Sequence, residues 1–201
     1  MNIYFIFFFV ITFNCFGQEV SEINKSLEIP DSLEFEKEIR IYKKHETSHN
    51  SEIFRMYDVG NNNWKAEIFY YSDQFKAPTK INKIEFPKEN IGTLKPKNAY
   101  LIWLNLLLCN VEYLPSQKKI DYKLKAAKII SGDGEYGISQ NKKRSLDGES
   151  YRVFIKNGMI KNDFSFDNPA FYLEYYPTVD ELIGYNELLS IINKDFNFLN
   201  D

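Results

Sequence analysis

His45 and His49 are the only two histidines in the chain, and with Glu46 they fall within HETSH, the H-E-x-x-H spacing used by zinc peptidases. That chemistry requires a helix. Residues i and i+4 then present both imidazoles to one metal ion, while the glutamate at i+1 polarises the bound water. The surrounding residues do not supply such a helix. No apolar residue lies between Tyr42 and Ile53, so a helix here would have no face to dock, and Thr47, Ser48 and Asn50 favour caps and turns. A third ligand in the required context is also missing. Glu67 sits in strand-like sequence, Glu85 and Glu89 in a proline-rich stretch, and Glu112 after an apolar helix. The segment is therefore expected to be a polar connection between strands at Ile39–Tyr42 and Ile53–Tyr57. A zinc-dependent, peptidase-like hydrolase using His45, Glu46 and His49 is the alternative; otherwise no metal and no cofactor is expected.

Other reactive groups point the same way. A nucleophilic triad would have to recruit one of the same two histidines, and no G-x-S-x-G elbow exists. Cys109 lies in an apolar run, where a buried inert thiol is expected. Asp180 and Glu181 suit the first turn of a helix, where carboxylates are stabilising anyway. Asp163 and Asp167 flank the end of a strand, and GDGEYG misses the G-x-G-x-x-G spacing of a nucleotide-binding turn. One segment has the composition of a recognition surface: FSFDNPAFYLEYYP, Phe164 to Pro177. Its Tyr172, Tyr175 and Tyr176 join apolar rings to hydrogen-bonding tips and are the candidate binding residues.

The elements that must carry these groups follow from periodicity. Tyr4 to Phe13 is nearly unbroken apolar sequence, too short to span a bilayer but suited to the core of a signal peptide, with cleavage expected after Gly17. Asn14 stands where a lipoprotein signal wants a small residue before Cys15, so a lipid-anchored form is not expected. Residues 18–32 read as a polar N-terminal arm. Leu33–Lys43 alternates as a strand with Glu38 and Arg40 on a solvated side. Ile53–Val59 and Trp64–Tyr71 flank the turn Gly60-Asn61-Asn62-Asn63, and Tyr151–Ile155 and Ile160–Phe166 flank Asn157-Gly158, each a hairpin. Residues 72–98 read mostly as loop.

Asn98–Val111 forms a helix with a stripe of Leu101, Leu104, Leu108 and Val111, apolar nearly all round and hence deeply buried, with Thr93 as a possible cap and Pro96 in the first turn. After Pro115 the chain alternates loosely through Ile120 to Ala126, then becomes a polar stretch, Ser131 to Glu149, readable as a loop or an extended hairpin tip. A second helix runs from a Thr178–Glu181 capping box to about Asp195.

With 201 residues, 25 basic and 28 acidic side chains and no repeat, the chain fits one domain and predicts no polyanion binding. The segments 1–17, 18–32 and 33–201 are signal, arm and domain. The fold class is α+β: an antiparallel or mixed sheet of about five to seven strands with two main α-helices packed on it. The expected role is an exported, non-catalytic binding or accessory module in the periplasm or at the cell surface. Its expected partner is another protein, with no nucleic acid and no transmembrane segment.

Overall fold

A computed structural model describes residues 15–45, 47–87, 97–132, 134–145 and 148–199, with side chains from Glu19 onward. The architecture is α+β. Eight strands are described: β1 (Lys37–His45), β2 (Asn50–Asp58), β3 (Trp64–Ser72), β4 (Ala77–Glu85), β5 (Ala126–Gly132), β6 (Glu135–Asn141), β7 (Glu149–Asn157) and β8 (Ile160–Asp167). Six form one antiparallel sheet in the order β4-β3-β2-β1-β7-β8, and β5 and β6 form a separate two-stranded hairpin. Five helices accompany them: α1 (Cys15–Ser26), α2 (Ala99–Leu108), a 3-10 helix (Gln117–Lys123), α3 (Pro169–Tyr175) and α4 (Asp180–Phe196). None of the described helices is long and apolar enough to cross a membrane.

The two expected hairpins are present as β2–β3 and β7–β8. Asn61, Asn62 and Gly158 adopt the positive φ that their turns require. β1 lies between β2 and β7, and its register fixes what each sheet face presents. Ile39 and Ile41 lie opposite Met56 and Phe54 on one side and Ile155 and Val153 on the other, giving the front face. There α2 and α4 bury Trp103, Leu106, Leu182, Leu188 and Ile192 against the sheet. Tyr185 of α4 stacks flat on Phe166, ring centres 4.4 Å apart. Each such large apolar side chain, fully buried, contributes about 1.5–3 kcal/mol.

Several expectations change. The sheet carries several helices rather than two, and the stretch 18–32, expected to be a loose polar arm, is helical over much of its length. Val20 and Ile23 of α1, followed by Leu27 and Ile29, cover the back face over Tyr42, Ile53, Phe69 and Tyr71. β1 is therefore buried on both sides, where a solvated back face was expected. Its two charged residues are held in a network: Glu38 is fully buried and Arg40 is 1 % exposed. One Glu38 oxygen accepts from Arg40 Nε at 2.8 Å and Arg55 Nε at 2.9 Å, and the other from the backbone N–H groups of Glu34 and Phe35. Arg40 donates in turn to the carbonyls of Pro30 and Ser32. A buried carboxylate survives because nearly all its acceptor capacity is used.

A further change concerns 72–98, part of which is β4. Pro78 is tolerated there because β4 is an edge strand. α2 is capped by the Asn98 side chain, which accepts from Leu101 N at 3.0 Å, whereas Thr93 and Pro96 lie outside the described residues. α2 is also rotated from the expected orientation: Ala99, Ile102, Trp103 and Leu106 point inward and Leu101, Leu104 and Leu108 point out, although Val111 of the same stripe is buried. On a helix apolar all round, periodicity cannot choose the inner face, and the pairing of Trp103 with Trp64 does. α4 starts without a side-chain cap, because its N-cap residue is Val179 rather than Thr178; Glu181 accepts from Lys123 at 2.6 Å. Gly184 lets α4 close on the end of α2: a Cβ there would lie 3.0 Å from Leu114 Cδ2 and 3.2 Å from the Cys109 carbonyl.

Candidate functional site

The HETSH residues fall on a strand end and a turn. His45 is the last residue of β1, Thr47 to His49 form the turn, and Glu46 lies outside the described residues. The helical presentation that a shared metal needs is absent, and the two histidines part company. His49 gives its carbonyl to the Asp73 N–H at 2.7 Å. The His45 ring faces two carboxylates, Nδ1 at 3.5 Å from Glu149 Oε1 and Nε2 at 3.6 Å from Glu52 Oε1. A nucleophilic relay needs one imidazole nitrogen on the attacking hydroxyl or thiol, and here both face acids.

Register explains the meeting of these groups. On the front face Lys43 lies opposite Glu52 in β2 and Tyr151 in β7, and His45 lies opposite Glu149. The Lys43 ammonium, almost fully buried, is 3.2 Å from Glu149 and 3.6 Å from Glu52, so it supplies the cation between the two carboxylates. Tyr151 donates its hydroxyl to Glu149. Burial, then that bond, push the phenol far above its ordinary range, so it remains a donor. Among the described residues no group of three or more His, Cys, Asp or Glu is arranged to hold a metal ion. The cluster forms part of the wall of a cavity of about 510 Å³. Several of the cavity's polar groups serve the fold: Asn168 Oδ1 accepts from Glu149 N, Asn186 donates to the Leu182 carbonyl, and Asn193 accepts from Leu199 N.

The candidate tyrosines separate. Tyr172 is buried in the core, Tyr176 packs at its margin, and Tyr175 is exposed. Lys142 lies over the Tyr172 ring and Lys143 over the Tyr175 ring, 5.7 and 5.1 Å from the centroids. α3 is thereby joined to the base of the β5–β6 hairpin, the hairpin alternative for the stretch after Ser131, whose apolar face the sequence reading did not single out. Cys109, as expected, is buried; burial foremost, then Glu187, push its thiol up to about 11.

The apolar face of the hairpin follows from its register. Paired residues share a face, so Ile129 with Ile138 and Ser131 with Tyr136 line one side, together with Ala127. This side carries no charge, and nothing among the described residues covers it: Ile129 is 77 %, Ile138 72 % and Tyr136 84 % exposed. Ile130, on the other side, lies across Gly137. Apart from each other, β5 and β6 have only slight contact with other described elements. The flanks are basic: residues 117–144 hold eight Lys or Arg against three acids, in a chain whose net charge is −3. Asp121, held below the ordinary carboxylate range by hydrogen bonds from Lys142 and Lys125, ties the two ends of the hairpin together. The signal for this element was present in Tyr136-x-Ile138 and the GDG turn, but Ser131–Glu149 is polar enough to pass for loop.

Comparison with protein-family models, with curated proteins and with solved structures finds no match to this chain.

Proposed function

We propose that this chain is a non-catalytic binding module, that the β5–β6 hairpin is its recognition element, and that it acts on a protein partner after export to the periplasm or cell surface. The observation that carries the reading is the uncovered stripe of Ile129, Ile138 and Tyr136. An isolated two-stranded hairpin is at best marginally stable in water, and an exposed apolar strand with free edges is a template for pairing with another chain. Recognition by strand addition uses those edges for backbone hydrogen bonds and alternate side chains for specificity. Tyr175, beside the hairpin base, extends the same surface; Tyr172 and Tyr176 support it from the core. For export, the support is the apolar run Tyr4–Phe13 with the expected cut after Gly17.

The test is site-specific photo-crosslinking in the producing cell, with the probe at position 138 and a control at Met159, which is 99 % exposed on the β7–β8 turn. One or a few discrete polypeptides captured from 138 and absent from 159 are expected. Equal labelling from both positions, or none from 138, ends the reading.

A further inference from the structure

The hairpin has a counterpart on its own molecule. Leu101, Leu104 and Leu108 follow one another at helical spacing along the outward side of α2, exposed where an apolar face is normally covered. Leu108, 77 % exposed, runs into a groove of about 410 Å³ between the end of α2 and the start of α4, which Tyr113 also lines. Asp180, Glu181 and Glu187 border that groove; Lys123 engages Glu181, while Asp180 and Glu187 stand at the surface. The two apolar surfaces thus have opposite surroundings, the hairpin basic and the groove acidic.

We propose that the partner is a second copy of this chain, whose hairpin seats Ile129, Ile138 and Tyr136 against Leu104, Leu108 and Tyr113. Lys143 and Arg144, which follow β6 at the base of the hairpin, then face the acidic border of the groove. The inference rests on the reading of the hairpin as the recognition element and adds the identity of what it binds. Charge decides the pairing. Hairpin against hairpin would oppose two basic flanks, and groove against groove would oppose two sets of carboxylates, whereas hairpin against groove joins unlike charges. A contact between two different surfaces is heterologous, so each bound pair retains one free hairpin and one free groove. Association therefore grows with concentration, by ring or chain, and weakens as salt screens the flanks.

Sedimentation velocity on the full chain tests this with two variants, Ile138→Asp in the hairpin and Leu108→Asp in the groove. Both sites are exposed, and a melting curve checks that each variant folds. Wild type is expected to associate progressively. Each variant alone stays monomeric, and an equimolar mixture forms a one-to-one dimer that stops there, because only one intact hairpin and one intact groove remain. A charge pair supplies the second readout. Arg144→Glu or Glu187→Lys alone weakens association about fivefold, and combining them restores part of it. A monomeric wild type at every concentration, or a mixture that fails to dimerise while wild type associates, overturns the proposal. If wild type is monomeric yet position 138 still captures a different polypeptide, the recognition reading stands and only the partner's identity falls. If position 138 captures nothing, both fall.

Discussion

Ile41 in β1 and Ile129 in β5 are the same residue in the same extended backbone, each paired across an antiparallel ladder with an apolar neighbour. Ile41 is fully buried and Ile129 is 77 % exposed. The six-stranded sheet has helices and their following residues on both faces, and among the described residues nothing covers either face of the hairpin. Strand pairing alone is therefore not what stabilises a strand here; cover is. Burial of apolar surface contributes about 25 cal/mol per Å², and β5–β6 gains almost none of it within one molecule. The same contrast holds for charge. Glu38, Arg40 and Arg55 are sealed under residues 30–35, while Asp121, Lys125 and Lys142 meet in partial contact with water.

The comparison can be broken most forcefully at Glu38. Glu38→Gln leaves Arg40 and Arg55 buried without their shared carboxylate and is expected to cost about 3–5 kcal/mol in urea denaturation. A loss below about 1 kcal/mol means that the network is open to water rather than sealed. Next comes the isoleucine pair. Ile41→Ala is expected to destabilise by about 2–5 kcal/mol through its cavity, whereas Ile129→Ala stays within about 0.5 kcal/mol in dilute monomer. Comparable losses at both sites mean that the hairpin is covered after all.

The smallest effect concerns α1. Asp31 is held below its usual carboxylate range by hydrogen bonds from Asn24 at 3.0 Å and Ser21 at 2.8 Å. A lowered folded pKa stabilises above the unfolded value near ~3.9 and ceases to do so as pH falls through the folded one. Hydrogen-exchange protection in α1, taken relative to the intrinsic rate at each pH, should therefore fall on acidification through that window before that of the β1–β2 ladder does. Asp31→Asn should flatten the difference.

The sequence disclosed what period and turn chemistry encode. Asn157-Gly158 and Gly60-Asn61-Asn62-Asn63 located two hairpins, and alternation at Ile39 and Ile41 located the central strand. Sidedness was hidden wherever both sides of an element looked alike. α2 is apolar all round, so Leu101, Leu104 and Leu108 read as core although they face out. Glu38 and Arg40 read as solvated because their cover, α1 and residues 30–35, is itself polar in composition. Of the candidate site, the fate of HETSH was legible from its lack of an apolar stripe. The meeting of His45 with Glu149 was not, because β7 reaches β1 from far along the chain.

That distance has a kinetic consequence. β1 through β4 form a meander whose pairings are all between neighbours, but Ile41 meets Val153 only after everything between them has been made. Until β7 arrives, one edge of a central, fully covered strand is open to any chain that passes, and non-local pairings of this kind are the slow ones to form. That lateness makes β1, rather than the ever-exposed hairpin, the segment through which refolding at high concentration would lose material to aggregation.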